Sequence, residues 1–163
     1  MIEIYDSYTK SYKKVINKNI NMYVCGITTS DFCHLGHAFS SVSFEILDRY
    51  LTSKGFKVIR VQNFTDVDDK IIIKSISENL TPKEVSEKYI NAFFKDMDAL
   101  GVKRANSYPK ATDEIENIID FIKELEEKKY TYQIEGSVYF RVSKFKNYGK
   151  LSSRKLSESI SGT

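Results

Sequence analysis

The sequence predicts an α/β fold, the opening of a parallel sheet with an insertion behind it. Two short β-prone runs flank one long amphipathic segment, helix start signals follow the second run, and the pattern turns to hairpin character after residue 130. A strand, a crossover helix and a second strand make the unit that pairs strands in parallel.

Each element has a local cause. Asn21-Met22-Tyr23-Val24-Cys25 is β-prone and stops at Gly26. Leu35, Phe39, Val42, Ile46, Leu47 and Tyr50 then recur at helical spacing until Lys54-Gly55, a helix stop. Residues 56–62 are rich in β-branched side chains and read as the second strand. Asn63-Phe64-Thr65 reads as a turn, and Asp66-Val67-Asp68-Asp69 opens a helix with its acids at the positive end of the dipole. Thr81-Pro82-Lys83-Glu84 combines a threonine cap, proline at the first helical position and glutamate three residues after the cap.

The helix that follows carries Val85, Tyr89, Ala92, Phe93, Met97 and Leu100 on one face and stops at Gly101. Another is expected over 112–129, striped by Ile115, Ile118, Ile119, Ile122 and Leu125. Residues 130–134 and 137–142 then form a hairpin about Glu135-Gly136. The expected division is 1–110 for the sheet-bearing part and 111–163 for the start of the insertion.

The 163 residues are 41% hydrophobic, enough for one core of ordinary domain size. No apolar run approaches a membrane span, and acids among the first six residues do not suit a secretory or transit signal. The expected location is the cytoplasm, with no membrane partner. Cys25 and Cys33 are too few for a disulfide framework and are expected as thiols or thiolates. A net charge of +3 is compatible with a nucleic-acid partner and decides nothing by itself.

The chemistry centres on His34-Leu35-Gly36-His37, placed after the first strand and at the start of a helix. Ligands bind outside the carboxyl ends of parallel strands, and a helix N-terminus offers free N–H groups to anions. Two imidazoles one turn apart, with glycine permitting close approach, can donate hydrogen bonds to phosphate oxygens as charge develops there. On those four residues alone, capping or a surface pair competes with that reading. Cys25 has two readings, a buried free cysteine or a zinc ligand. Grouping Cys25, Cys33, His34 and His37 into one zinc site fails on the adjacency of Cys33 and His34, which hampers their convergence. Cys33 is left to packing. Residues 143–157 hold Lys144, Lys146, Lys150, Arg154 and Lys155 with no acid, either a phosphate-tracking stretch or a solvated basic loop.

Met22-Tyr23-Val24-Cys25-Gly26-Ile27-Thr28, then His34-Leu35-Gly36-His37-Ala38, then Val61-Gln62-Asn63-Phe64-Thr65-Asp66-Val67-Asp68-Asp69-Lys70-Ile71, in that order, resemble class I cysteinyl-tRNA synthetases. Gly136-Ser137-Val138-Tyr139-Phe140 and Tyr148-Gly149-Lys150-Leu151-Ser152 resemble the connective insertion of the same family, so the resemblance covers nearly the whole chain. It implies the first half of a Rossmann-like catalytic domain and an enzyme that activates cysteine with ATP and Mg2+ to cysteinyl-adenylate, then transfers it to tRNA(Cys).

By the same resemblance His34 and His37 are catalytic, and His34, Gly36 and His37 bind ATP. Gly26, Thr28 and Thr65 bind cysteine, and Cys25 is the first ligand of a zinc ion. Thr65 has an alternative role as a helix cap. Zinc favours soft sulfur, so a substrate thiolate would be taken and serine refused.

The match departs in places. Phe39 stands where the family usually has arginine, and Thr29-Ser30 where Val-Tyr is more usual. The second class I signature, a Lys-Met-Ser-Lys-Ser type loop, is absent from the 163 residues, as are the remaining zinc ligands. The chain is therefore expected to be a part, silent alone, of a protein that is active and monomeric. Alternatives are a cysteine:amino-sugar ligase of the same superfamily and a non-catalytic nucleotide- or RNA-binding fragment.

Overall fold

A computed structural model describes residues 1–153. Arg154 and Lys155 of the basic stretch lie outside the described residues. The chain divides into two compact units, Asn17–Ile115 and Met1–Ile16 grouped with the segment from Glu116 onward. None of the helices among the described residues is long and apolar enough to cross a membrane.

The second of these units begins with a hairpin the sequence did not announce. β1 (Glu3–Asp6) pairs antiparallel with β2 (Ser11–Lys14). Their exposed, weakly alternating residues carry no clear strand period, and the pair is closed by the Asp6 turn, where Oδ1 accepts from Tyr8 N at 3.0 Å.

In the unit Asn17–Ile115, β3 (Asn19–Thr28) pairs in parallel with β4 (Lys57–Thr65), and α1 (Leu35–Ser53) joins them. The expected turn at Asn63-Phe64-Thr65 is instead the end of β4. Phe64 is fully buried, and its N–H donates to Pro109 O at 2.9 Å. With Ile27 opposite Phe64 and Thr28 opposite Thr65, both strand edges hold these residues extended. Val61 and Phe64 bridge in parallel to Ser107 and Lys110, so a short segment flanks the far edge of β4. Pro109 there costs no ladder bond, as suits an edge.

α2 (Asp69–Glu78) starts three residues later than expected, because Asp68 is its cap and accepts from Lys70 N at 2.8 Å. α3 (Pro82–Ala99) starts as the sequence indicates: Glu84 N donates to Thr81 Oγ1, and Thr81 N donates to Glu84 Oε2. Its apolar face closes the core, where Ile27, Phe64, Ile90, Phe93 and Met97 cluster and Phe64 meets Phe93 edge-on at 5.5 Å. Leu100, expected on that face, is half-exposed.

The periodicity of α1 misleads more seriously. Leu35 and Phe39 are 85% and 74% exposed, while Ser41, Glu45 and Leu51 are buried. The reason is electrostatic. Arg60 projects from β4 among buried residues, and Glu45 answers it with Oε2 3.0 Å from Arg60 Nη2. That contact is a charge attraction with poor hydrogen-bond angles, since Glu45 Oε2 and Arg60 Nε have no well-formed hydrogen bond of their own. Burial raises the Glu45 pKa, but Arg49 and Arg60 outweigh it and hold the carboxyl below its ordinary value.

A 3-10 turn (Ala111–Glu114) closes the unit Asn17–Ile115, and α4 (Ile115–Glu127) carries the chain into the other unit. β5 (Thr131–Ile134) and β6 (Ser137–Phe140) form the expected hairpin about Glu135-Gly136. Glu135 and Gly136 both have positive φ, the two left-handed residues of a two-residue turn.

Phe93→Ala removes a ring at 1% exposure and is expected to cost about 3–5 kcal/mol, whereas Phe121→Ala, at 61% exposure, stays within about 0.5 kcal/mol. Urea melts of both variants measure this. Equal losses would mean that the core is not where the structure puts it.

Candidate functional site

α1 begins with an unusual cap. His34 is its N-cap, with extended backbone, and its Nδ1 accepts from Gly36 N at 3.1 Å. In return His34 N donates to His37 Nδ1 at 3.3 Å. This is a reciprocal capping box built from two imidazoles, whose rings stack with centroids 3.7 Å apart and planes 21° apart. A backbone N–H can only donate, so each Nδ1 presents a lone pair and each neutral ring carries its proton on Nε2. Two Nε2–H donors are left over. Gly36 leaves room for the ring, since a Cβ there would lie 2.9 Å from His34 Cε1 and would push the imidazole out of its cap.

The helix end itself is also free. α2, α3 and α4 each place an acid in the first turn (Asp69, Glu84 and Glu116), and α1 has none. Carboxylates at the other helices answer the positive dipole end from within the chain. At α1 the positive end and the imidazole donors remain available to an external anion.

The loop that delivers this cap is fastened at several points. Thr29 is fully buried; its N–H donates to Thr65 O at 3.1 Å and its hydroxyl lies 2.7 Å from Ser86 Oγ. Asp31 stands 3.5 Å from Lys74 Nζ, and Phe32 meets Tyr89 edge-on at 5.2 Å. Cys33 packs against the main core, and burial, with Asp96 adding to it, pushes its thiol up to about 11.

The other sequence-singled residues sit on the strands. Thr28 and Thr65 are register partners at the carboxyl ends of β3 and β4. Gly26 lies against Asn63: its N–H donates to Asn63 Oδ1 at 2.9 Å, and a Cβ would fall 1.5 Å from Asn63 O. Cys25 is exposed, three residues before β3 ends, beside the break in register between Val24 and Ile27. A bulge of this kind re-aims a side chain. Among the described residues no group of three His, Cys, Asp or Glu could hold a metal ion. Cys25 supplies one sulfur, and one thiolate does not hold zinc tightly. The structure thus brings His34 and His37 together, and Thr28 with Thr65, but it does not gather Cys25 into a ligand set.

Sequence reasoning missed Asn63, which also accepts from Tyr23 OH at 2.8 Å and so ties three positions of the sheet. Asparagine inside a β-branched run was the available signal, read instead as a turn. It also missed buried Asp66, which accepts from Thr112 N at 3.0 Å and from the Thr112 hydroxyl. A hollow of about 520 Å3 opens beside it, lined by Asp68, Ile71, Lys110 and Thr112 among others, and by neither histidine.

A family model described as the tRNA synthetases class I (C) catalytic domain matches residues 11–162. The chain belongs to that family. It is 48% identical to a cysteine–tRNA ligase of Lactococcus lactis subsp. cremoris (strain SK11), over 99% of this chain and 37% of the relative. It is also 48% identical to a cysteine–tRNA ligase of Archaeoglobus fulgidus, over 96% of this chain and 34% of the relative. The chain therefore spans about a third of the length of these relatives.

Among solved structures, methionyl-tRNA synthetase of Mycobacterium tuberculosis in complex with methionyl-adenylate superposes at TM-score 0.63, with 12% identity, over 77% of this chain and 33% of that one. A putative arginyl-tRNA synthetase from Campylobacter jejuni gives 0.62 at 15% identity, over 81% and 39%. At such identities the likeness concerns the fold, which is that of the class I synthetase catalytic domain.

Cys25 is exposed and Cys33 is packed with a raised pKa, so at pH 8 one thiol reacts with Ellman's reagent at least tenfold faster. Cys25→Ser abolishes that fast phase; persistence of the fast phase would place the reactive sulfur at Cys33. Desolvation, then the neighbouring His34, holds His37 below its ordinary 6.5. The unfolded chain therefore binds more protons just below that pH, and stability falls as pH drops below about 6.5 toward the lowered value. Thermal midpoints between pH 8 and 5 should fall less steeply for His37→Gln, and superimposable curves would refute this.

Proposed function

We propose that this chain carries the ATP-handling half of a cysteine–tRNA ligase, which activates cysteine to cysteinyl-adenylate and passes it to tRNA(Cys). The imidazole cap of α1 carries the reading: two Nε2–H donors at an acid-free helix N-terminus, in a chain of this synthetase family. A cysteine carboxylate oxygen bonds to the α-phosphorus of ATP as the bond from that phosphorus to pyrophosphate breaks. Negative charge grows on the phosphate oxygens during this exchange. His34 and His37 donate to those oxygens, and Gly36 lets the backbone come close. Mg2+ accompanies the nucleotide.

Thr28 and Thr65, side by side at the carboxyl edge of the sheet, are assigned to the polar end of cysteine, with Gly26 shaping the strand beside them. Cys25 is assigned as one zinc ligand, the others lying outside the described residues. The reading also carries a cytoplasmic, monomeric enzyme. Its first catalytic half lies in 1–110 and the start of its connective insertion in 111–163, although the hairpin of Met1–Ile16 groups with the later segment.

Cysteine-dependent ATP–pyrophosphate exchange by the complete protein tests the reading. His34→Thr keeps a good capping side chain without an N–H donor, and His37→Ala removes the second donor. Each is expected to lower the exchange rate constant by about 10²–10³, or roughly 2.7–4 kcal/mol in the barrier. No cysteine-dependent exchange, or wild-type exchange in both variants, would refute it. Transfer of cysteine to an amino sugar rather than to tRNA would replace the second half of the reaction.

A further inference from the structure

Two segments more than a hundred residues apart meet around one basic hollow. The turn between β1 and β2 supplies Tyr8 and Lys10, and the loop after β6 supplies Lys146, Tyr148 and Lys150, about a space of roughly 440 Å3. Lys150 Nζ lies 4.8 Å from the centroid of the Tyr8 ring, joining the two segments directly.

Both walls are shaped by their own backbone. Thr9 Oγ1 donates to Asp6 Oδ2 at 2.6 Å and Tyr8 N donates to Oδ1, so Asp6 serves the turn with both oxygens. Lys10 follows with φ of 53°. Opposite, Tyr148 N donates to Phe145 O at 2.9 Å and Lys150 N to Asn147 O at 3.1 Å, with Gly149 at φ 78° between them. The loop is a chain of tight turns that sets Lys146, Tyr148 and Lys150 at short intervals.

What the hollow lacks is acid. Among the described residues no carboxylate lines it, and none of Lys10, Lys146 and Lys150 forms an ion pair. Lys144 is excluded from the group, since its Nζ donates to Lys129 O at 2.9 Å. Three ammonium groups converging without a counter-charge repel one another, and a polyanion relieves that. An acidic peptide would satisfy the charges but leave the half-exposed faces of Tyr8 and Tyr148 without a flat partner. A nucleic-acid strand offers both phosphates and stacking rings.

We propose that Tyr8, Lys10, Lys146, Tyr148 and Lys150 form a contact site for an RNA strand, with phosphates on the lysines and a base on the tyrosines. This rests on the ligase reading above and names residues by which the tRNA is held.

The test measures binding of the 163-residue chain to an unmodified transcript of cysteine tRNA by fluorescence anisotropy between 50 and 200 mM salt. Lys10→Ala with Lys146→Ala and Lys150→Ala is expected to weaken binding at least tenfold. It should also flatten the slope of log affinity against log salt by about 2, at about 0.7 per phosphate contact on a single strand. Tyr8→Leu with Tyr148→Leu should weaken binding about fivefold or more and leave the slope unchanged. If the triple variant loses its thermal midpoint, Lys10→Ala and Lys150→Ala are measured singly, each flattening the slope by about 0.7.

Unchanged affinity and slope would overturn the site. So would poly-glutamate binding as tightly as RNA with the same loss in the variant, which marks an acidic-polypeptide site. The activation step uses no RNA, so the two proposals fail separately. Exchange by the complete protein with lysine-independent RNA binding refutes this site alone; lysine-dependent RNA binding without exchange refutes the ligase reading alone.

Discussion

Close approach of Gly26 to Asn63 is the constraint from which the sheet and its site take their shape. From Asn19 opposite Lys57 to Val24 opposite Gln62 the two strands run in simple register. Then Cys25 and Gly26 together face Asn63, and the register resumes at Ile27 and Phe64. A strand without this extra residue would alternate faces strictly, so Val24 and Ile27, three apart, could not both be buried. The bulge restores Ile27 and Thr29 to the inner side, and only a residue without Cβ fits opposite the Asn63 carbonyl. A thiol that strict alternation with Val24 already turns outward is set at the one point where the strand bends.

Beyond the bulge, polar groups rather than apolar ones decide where the functional helix starts. Thr29 binds the end of β3 to Thr65 O on β4 and to Ser86 on α3, so three elements are tied by one small side chain. Four residues of loop remain before His34, held by the contacts of Asp31, Phe32 and Cys33. Farther along α1, Glu45 and Arg60 fix the helix against β4, with Arg60 Nη2 also donating to Lys103 O. Removing one partner of such a pair leaves a buried charge unanswered, which makes it a strong constraint on geometry even where its net stabilisation is small. The cap is placed by these fastenings more than by the propensity of its own residues.

This division of labour explains what the sequence makes legible. Local signals were readable because their chemistry is complete within a few residues: Thr81 with Glu84, Glu135 with Gly136, and the parallel pair implied by strand, helix and strand. The end of β4 was not, because Asn63-Phe64-Thr65 has turn composition and is kept extended by bonds to residues 28–29 and 109, which no local window contains. The buried face of α1 was hidden for the same reason, since Glu45 is inside only because Arg60 is. At the site, the His-x-Gly-His string indicated the helix start that the structure shows. Its tautomers required coordinates, because they depend on which ring nitrogens meet backbone N–H groups.

Why imidazole should cap this helix is the remaining question, and the neighbouring helices supply the contrast. Threonine or aspartate caps a helix at least as well, as Thr81 and Asp68 do here, and each of those helices adds an acid nearby. A carboxylate cap at α1 would cancel the positive helix end and repel any anion that approached it. A hydroxyl cap would be tolerated but would bring no second N–H. Imidazole accepts the backbone N–H through one nitrogen and offers a donor through the other, on a rigid ring that sets the two on opposite edges. The lowered proton affinity of His37 fits this arrangement, because protonating Nδ1 would turn the acceptor toward a donor and open the cap. The cap and the outward-facing donors are therefore served by opposite edges of the same two rings.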